Sequence, residues 1–319
     1  MKKILITGAA GFGASGLIRE LLKDPQMEIT GLDIIGRNHA TLLTDEELDK
    51  IEWIWKSVHD IEPEDINHDI IVHLAAQADV PMGLTSPRWT VWENVDGAVA
   101  LLEAVRKKKE RLTKLIYAGS GNEWGRPLYV PIDENHPLTP HNPYAFSKAA
   151  AELAFWSYHR CYNLPITIMS NGIVCGPGMR KEIFIYKWFK NLLRGKPLVL
   201  EGGDQTRDIT YVSDVVDAWK RVIYSEPNLI NGHKFQVSYG KEYSIETILL
   251  WCLEIAAKDG YNPVDIIHKP HRPGEQGQRE VFTNKKAREM LGYDPQINPY
   301  MAVELTWKWM REEWEKSRQ

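Results

Sequence analysis

Short apolar runs alternate with longer amphipathic stretches through residues 1–170, and this alternation leaves few folds open. KKILIT (2–7), EITGLDI (28–34), IEWIWKSV (51–58), DIIVHLAA (69–76), TKLIYAG (113–119) and PITIMS (165–170) read as six strands, IEWIWKSV being the weakest. Between them ASGLIRELLKD (14–24), a long segment over about 85–109 and another over 143–162 read as helices. Strands that are apolar throughout, rather than alternating apolar with polar, are buried on both faces. The pattern predicts an α/β fold, a Rossmann-type doubly wound parallel sheet with helices on both sides.

Beyond residue 170 the rhythm changes. Gly- and Pro-containing segments such as GGDQTRD (202–208), YGKEYS (239–244) and HRPGEQGQ (271–278) interrupt shorter elements. The expected organisation is a first domain over 1–170, rejoined by a segment near 205–225 that includes the helix SDVVDAWKRVIYS, and a smaller lobe made mainly of 171–319. No internal repeat or flexible linker is visible. Trp307, Trp309 and Trp314, three of the chain's 12 tryptophans, fit an amphipathic C-terminal helix that covers a core.

The 319 residues carry a net charge of −4, which argues against a general nucleic-acid or membrane-surface binder. An anionic ligand would need locally placed arginines. No secretory signal or membrane helix is read, because the first apolar run breaks early into glycines. Cys161, Cys175 and Cys252 lack metal-type spacing and are expected to be buried thiols in a reducing, cytoplasmic setting. No metal site is expected.

TGAAGFGAS (7–15) joins the first strand to the first helix. Gly8, Gly11 and Ala14 stand three apart, permitting a tight turn and the approach of helix N-terminal N–H groups to a pyrophosphate. Asp33 ends the second strand about twenty residues on, where a carboxylate accepts from a ribose diol and repels a 2′-phosphate. This favours NAD, with Arg37 keeping NADP open. Asp60 and Ile61 follow the third strand, where the aspartate either meets the adenine or is a solvated loop acid.

The glycine motif, HLAAQADV (73–80), ENVDGAVALLEAV (93–105), YAFSK (144–148) and RDITYVSD (207–214) occur in that order. Together they resemble the extended short-chain dehydrogenase/reductase family, in particular its nucleotide-sugar epimerases and dehydratases. By this resemblance Phe12, Gly13, Leu74, Ala75, Ala76 and Asn94 surround the cofactor NAD, and Gln77 faces the sugar. In Tyr144-x-x-x-Lys148 both side chains share a helix face. A neighbouring ammonium and a nicotinamide's positive charge would favour the phenolate, letting Tyr144 take a proton from a sugar hydroxyl. Ser120, four residues before Trp124, corresponds to the family's hydroxyl at the end of the fifth strand.

In the family's 4,6-dehydratases, Asp and Glu follow that hydroxyl. Here the positions hold Gly121 and Asn122, neither of which is a general acid–base. Glu123 is one residue out of register and, in an extended segment, would point to the other face. The remaining set, Ser120, Tyr144, Lys148 and NAD, suffices for 4-epimerisation of a nucleotide-diphosphate sugar through a 4-keto intermediate. The alternatives are a dehydratase or reductase of the same family, or a non-catalytic NAD(P)-binding regulator. Substrate-binding roles are carried over to Ser120, Gly121, Asn122, Arg207 and Arg272, the arginines matching diphosphate-gripping positions. IMSNGIVCGPG (168–178) departs from the family pattern by placing Ser170 and Ile173 where Arg and Asn are usual, with Asn171 shifted. The two long helices match those through which family members form homodimers.

Overall fold

The computed structural model describes residues 1–40, 42–272 and 274–318. Strands β1 (Lys2–Thr7), β2 (Met27–Asp33), β3 (Glu52–Trp55), β4 (Ile70–His73), β5 (Lys114–Ser120) and β6 (Ile166–Asn171) stand where the apolar runs predict them. They belong to one seven-stranded parallel sheet, whose seventh member, β10 (His233–Val237), was not foreseen. Strand order is β10-β6-β5-β4-β1-β2-β3. The sequence hid β10 because Lys234 and Gln236 alternate with Phe235 and Val237, so its apolar content is half that of its neighbours. All four side chains are nevertheless buried.

Helix α1 (Phe12–Leu21) follows β1, and the short α2 (Asp45–Leu48) precedes β3. The long helix expected over about 85–109 is divided: α3 (Val80–Thr85) ends at Ser86, and α4 (Pro87–Val91) runs through a π-helical turn at Trp92–Asp96 into α5 (Gly97–Lys107). Pro87 is the reason for the break, since a proline has no N–H to continue the preceding helix but suits the first turn of the next. Helix α6 (Pro143–Tyr162) matches its expected span, capped by Asn142, whose side chain accepts from the Ala145 N–H at 2.8 Å. It packs on β5 and β6 through Ala151, Phe155 and Tyr117.

The later chain builds two small sheets. β7 (Ile173–Cys175) pairs parallel with β9 (Thr206–Tyr211), which β11 (Glu242–Ser244) joins antiparallel; β8 (Leu198–Glu201) pairs with β12 (Ile266–Lys269). Among the helices, α7 (Phe184–Leu192), α10 (Ile245–Lys258) and α12 (Pro299–Lys316) enclose a separate apolar core with these strands. Helix α8 (Val212–Tyr224) lies against α1, while α9 (Pro227–Ile230) and α11 (Lys285–Leu291) lead into and cover β10.

Asp208 on β9 ties this half to the site. Its carboxyl accepts from the N–H groups of Gly240 at 3.0 Å and Phe282 at 3.4 Å, fixing the Phe282 ring against β5's end. Cys175 and Cys252 are buried as expected, and burial pushes the Cys175 thiol up to about 12. Cys161 is exposed, contrary to expectation, because it falls on the outer face of α6's last turn. No helix among the described residues is long and apolar enough to cross a membrane.

Trp307 is fully buried on α12, meets Phe189 and Tyr261, and donates to Asp259 Oδ2 at 2.7 Å. Trp314 is only half-buried. Trp307→Ala is expected to cost about 3–5 kcal/mol of unfolding free energy, and Trp314→Ala about 1 kcal/mol or less. Urea unfolding of the two variants checks the ranking.

Candidate active site

A parallel sheet delivers every strand's C-terminal end to one edge, and a cavity opens there, between the seven-stranded sheet and the later lobe. The turn after β1 forms its floor. Gly8 has φ +71°, and a Cβ there would stand 2.7 Å from the backbone nitrogen of Ala75. Only glycine lets the first turn pass this close to the chain leaving β4. Gly11 caps α1 without a side-chain bond to the helix, leaving its first N–H groups available, and Gly13 faces open cavity. Asp33 is held at the end of β2 by the N–H groups of Ala10 and Ile35, each at 2.9 Å. An uncapped helix N-terminus, an open glycine and a fixed carboxylate fit a dinucleotide. Arg37, the residue that kept NADP open, pairs with Asp49.

The other expected cofactor positions are distributed unevenly. Phe12 and Leu74 line the cavity, with Ala75 and Ala76 in the chain that leaves β4. Asn94 is buried in the π-helical turn; its side chain accepts from the Gln77 N–H and donates to Gln77 O and Ser147 Oγ. That arrangement clamps the post-β4 loop onto α6. Gln77 itself is buried, donating to Asp79 O. Asp60 and Ile61 lie at the turn beyond β3, outside the cavity wall, with Asp60 exposed and Ile61 buried.

Ser120 ends β5, and Tyr144 occupies the first turn of α6. Tyr144 Oη donates to Ser120 Oγ at 3.4 Å. Gly83 lets α3 pack closely on the start of α6, because a Cβ there would stand 3.0 Å from that of Tyr144. Lys148, one turn along, donates from Nζ to Ala118 O at 2.7 Å and lies 4.3 Å from the Tyr117 ring centroid. The three side chains thus converge from two elements that the sequence separates.

The charge balance differs from the simple expectation. Burial pushes the Tyr144 phenol up, and the opposing influences are the Arg180 charge and the Ser120 hydrogen bond. Burial also pushes the Lys148 ammonium down, with Glu123 and Glu152 acting against it. Arg180, a residue the sequence reading missed, lines the cavity and donates to Ala78 O. It sits in the irregular segment after β7, where no periodicity marks a functional side chain.

Beyond Ser120 the chain is not extended. It turns into a 3₁₀ helix over Gly121–Trp124, which swings Glu123 inward to complete burial rather than across the strand. Gly121 has no room for a side chain, since a Cβ would stand 2.7 Å from the Phe282 ring. Asn122 lines the cavity. Asn171, despite its shift in sequence, ends β6 in register with Ser120 and also lines the cavity.

On the far wall, Arg207 is buried and donates to Glu275 Oε1 at 3.2 Å and Gln278 Oε1 at 3.1 Å, with Glu280 3.6 Å from its Nε. Arg272 Nε stands 3.0 Å from Glu201 and 3.4 Å from Glu275. Glu275 therefore bridges the two guanidiniums, which sequence alone places 65 residues apart. The neighbouring His141, also missed, is held neutral by burial and by the Arg207 charge.

The model of the NAD dependent epimerase/dehydratase family matches residues 4–238. The UDP-glucose 4-epimerase of Mycolicibacterium smegmatis is 32% identical, with 92% of this chain and 94% of that protein covered. The human dTDP-D-glucose 4,6-dehydratase is 31% identical, with 98% and 90% covered. Among solved structures, UDP-glucuronic acid 4-epimerase from Bacillus cereus, in complex with UDP-glucuronic acid and NAD, superposes with a TM-score of 0.88 at 26% identity, covering 98% of this chain and 99% of that one. A glycine turn at the sheet's switch point, a Ser–Tyr–Lys set at the strand ends and a family match over most of the length lead to one conclusion: this chain is a member of the NAD-dependent epimerase/dehydratase family of enzymes.

Proposed function

We propose that the protein is an NAD-dependent 4-epimerase of a nucleotide-diphosphate sugar. The observation that carries this reading is the set at β5's end: Ser120 and Tyr144 in hydrogen-bond contact, Lys148 one turn away, and no acid–base pair at Gly121 and Asn122. Phe282 fills the space into which a side chain at 121 would project, so the position is closed to an added carboxylate without repacking.

NAD, when bound along the β1 turn, supplies a reversible hydride acceptor for the sugar carbon. The chain's own residues manage the proton and the orientation. Tyr144 Oη takes the proton of the 4-hydroxyl and later returns it, while Ser120 Oγ hydrogen-bonds the same oxygen. Lys148 and Arg180 place positive charge around the phenol and stabilise its ionised form. Arg207 and Arg272 grip the diphosphate, with Glu275 giving way to phosphate oxygens.

Similarity to both epimerases and dehydratases keeps a second reading, a 4,6-dehydratase. Incubation with UDP-, GDP-, CDP- and dTDP-sugars separates the two. Epimerisation gives a new sugar stereoisomer by NMR at constant mass, whereas dehydration gives a product lighter by one water. We also propose a cytoplasmic homodimer, supported by free thiols and by exposed Trp89, Trp92, Phe146 and Leu153 on α4–α6; light scattering tests the dimer.

Tyr144→Phe is expected to lower kcat at least about 100-fold while circular dichroism stays native; near-normal turnover would refute the proton role. Arg272→Met should weaken UDP-glucose or dTDP-glucose binding about tenfold or more and leave the NAD Kd within about twofold, read by calorimetry. Arg180→Met removes the cation that opposes burial at Tyr144, so phenol ionisation requires higher pH. The acid limb of its kcat–pH profile is expected to move upward relative to wild type.

A further inference from the structure

Behind the Tyr144–Lys148 pair lies a cluster of charges that the proposed chemistry does not use directly. Glu123 is fully buried, and its Oε1 accepts from the Ser120 N–H at 2.8 Å. Glu152, also buried, stands on α6 one turn beyond Lys148 and shares with Glu123 the ammonium of Lys234. Lys234 reaches in from β10, with Nζ 2.6 Å from Glu152 Oε2 and 3.4 Å from Glu123 Oε2, and lies 4.1 Å from the Trp124 ring centroid. Trp156 Nε1 closes the cluster by donating to Glu152 Oε1 at 3.2 Å.

Two buried carboxyls that meet on a single ammonium are compensated for one negative charge and not two, so the pair holds one proton. Burial and the charge of Glu152 push Glu123 up, while at Glu152 the Lys234 charge and its hydrogen bonds outweigh burial and hold it down. The proton therefore resides on Glu123 and the negative charge on Glu152. The same helix face carries Tyr144, Lys148 and Glu152 at successive turns, so that charge stands directly behind Lys148.

We infer that Glu123, Glu152 and Lys234 are positioning residues of the active site: a carboxyl pair holding one proton, pinned by Lys234, keeps Lys148 cationic beside Tyr144 and fixes Ser120 at the strand end. This rests on the proposed roles of Tyr144 and Lys148. The groups around Lys148 are Tyr144 and Glu152 on its own helix, Tyr117 on β5, Glu123 in the turn, His73 on β4 and Lys234 on β10. Of these only the glutamate pair supplies negative charge, one unit while the pair holds its proton: His73 is held neutral by burial and by the Lys148 charge, and burial keeps Tyr117 protonated.

Burial favours the neutral lysine and the charge on the glutamate pair opposes it; Glu152→Gln removes that charge, and Glu123→Gln removes the second charge the pair acquires when its proton leaves at alkaline pH, so each lets Lys148 lose its proton at lower pH. Each unit of such a shift cuts the protonated fraction above the midpoint about tenfold. Glu123→Gln retains an oxygen acceptor for the Ser120 N–H and a donor towards Glu152, but cannot ionise. Glu152→Gln removes the standing charge.

The test uses NAD-loaded protein. In the infrared, wild type minus Glu123→Gln is expected to show one protonated-carboxyl band at neutral pH; the other buried acids, Asp208 and Glu280, cancel in the difference. The band is expected to disappear from this difference as pH rises. In kcat–pH profiles normalised to each protein's own maximum, both variants should lose activity at lower pH than wild type, Glu152→Gln by the larger margin. Absence of the band, or an alkaline limb unmoved in both natively folded variants, overturns the inference. If no nucleotide sugar is turned over, the function reading fails, and the band by itself decides whether the proton is shared.

Discussion

Parallel pairing is the constraint from which the rest of the structure follows. Because each strand of the main sheet must be re-entered from the same end, the chain returns across a face every time, and helices cover both sides. The C-terminal ends then accumulate at one edge, where the backbone turns away and N–H groups are left for a ligand. The glycine turn after β1, Asp33 after β2, the loop after β4 and Ser120 at the end of β5 are all consequences of that geometry.

Placing a tyrosine and a lysine on the first turns of α6 uses the same constraint in reverse. The helix packs along β5 with its N-terminus at the functional edge, so residues four apart meet the strand end from above. The cost is burial of two titratable groups in apolar surroundings, which disfavours the charged form of each. The structure answers with charge at short range. Arg180 stands before the phenol, while Glu152, paired with Glu123, stands behind the ammonium. An active site of this kind is therefore thicker than its contact surface, and the groups that set its acidity include side chains with no exposure at all.

The later half of the chain serves the site by closing it. Asp208 fixes the loop that carries Phe282, and Phe282 shuts the space beside Gly121. Arg207 and Arg272, one on a strand and one in a loop, are held near each other by Glu275 between them. Such a carboxylate keeps two desolvated cations compensated and can yield to a ligand that offers phosphate oxygens in the same place.

The sequence by itself determined the backbone states and the local chemistry. Apolar runs marked six strands, Gly8 and Gly11 marked the tight turn, and the four-residue spacing of Tyr144 and Lys148 put them on one helix face, because each of these signals is contained within about ten residues. Only the tertiary structure decided which distant groups meet. β10 went unread because its buried lysine and glutamine mimic a half-exposed strand. Lys234 is tolerated inside because Glu152 and Glu123, 82 and 111 positions away, meet its ammonium. Glu123 was expected to face away because an extended chain alternates sides; a 3₁₀ turn replaced the alternation and carried it into the interior. Periodicity reports how a segment exposes its own faces, whereas charge compensation depends on what another segment brings to the same volume.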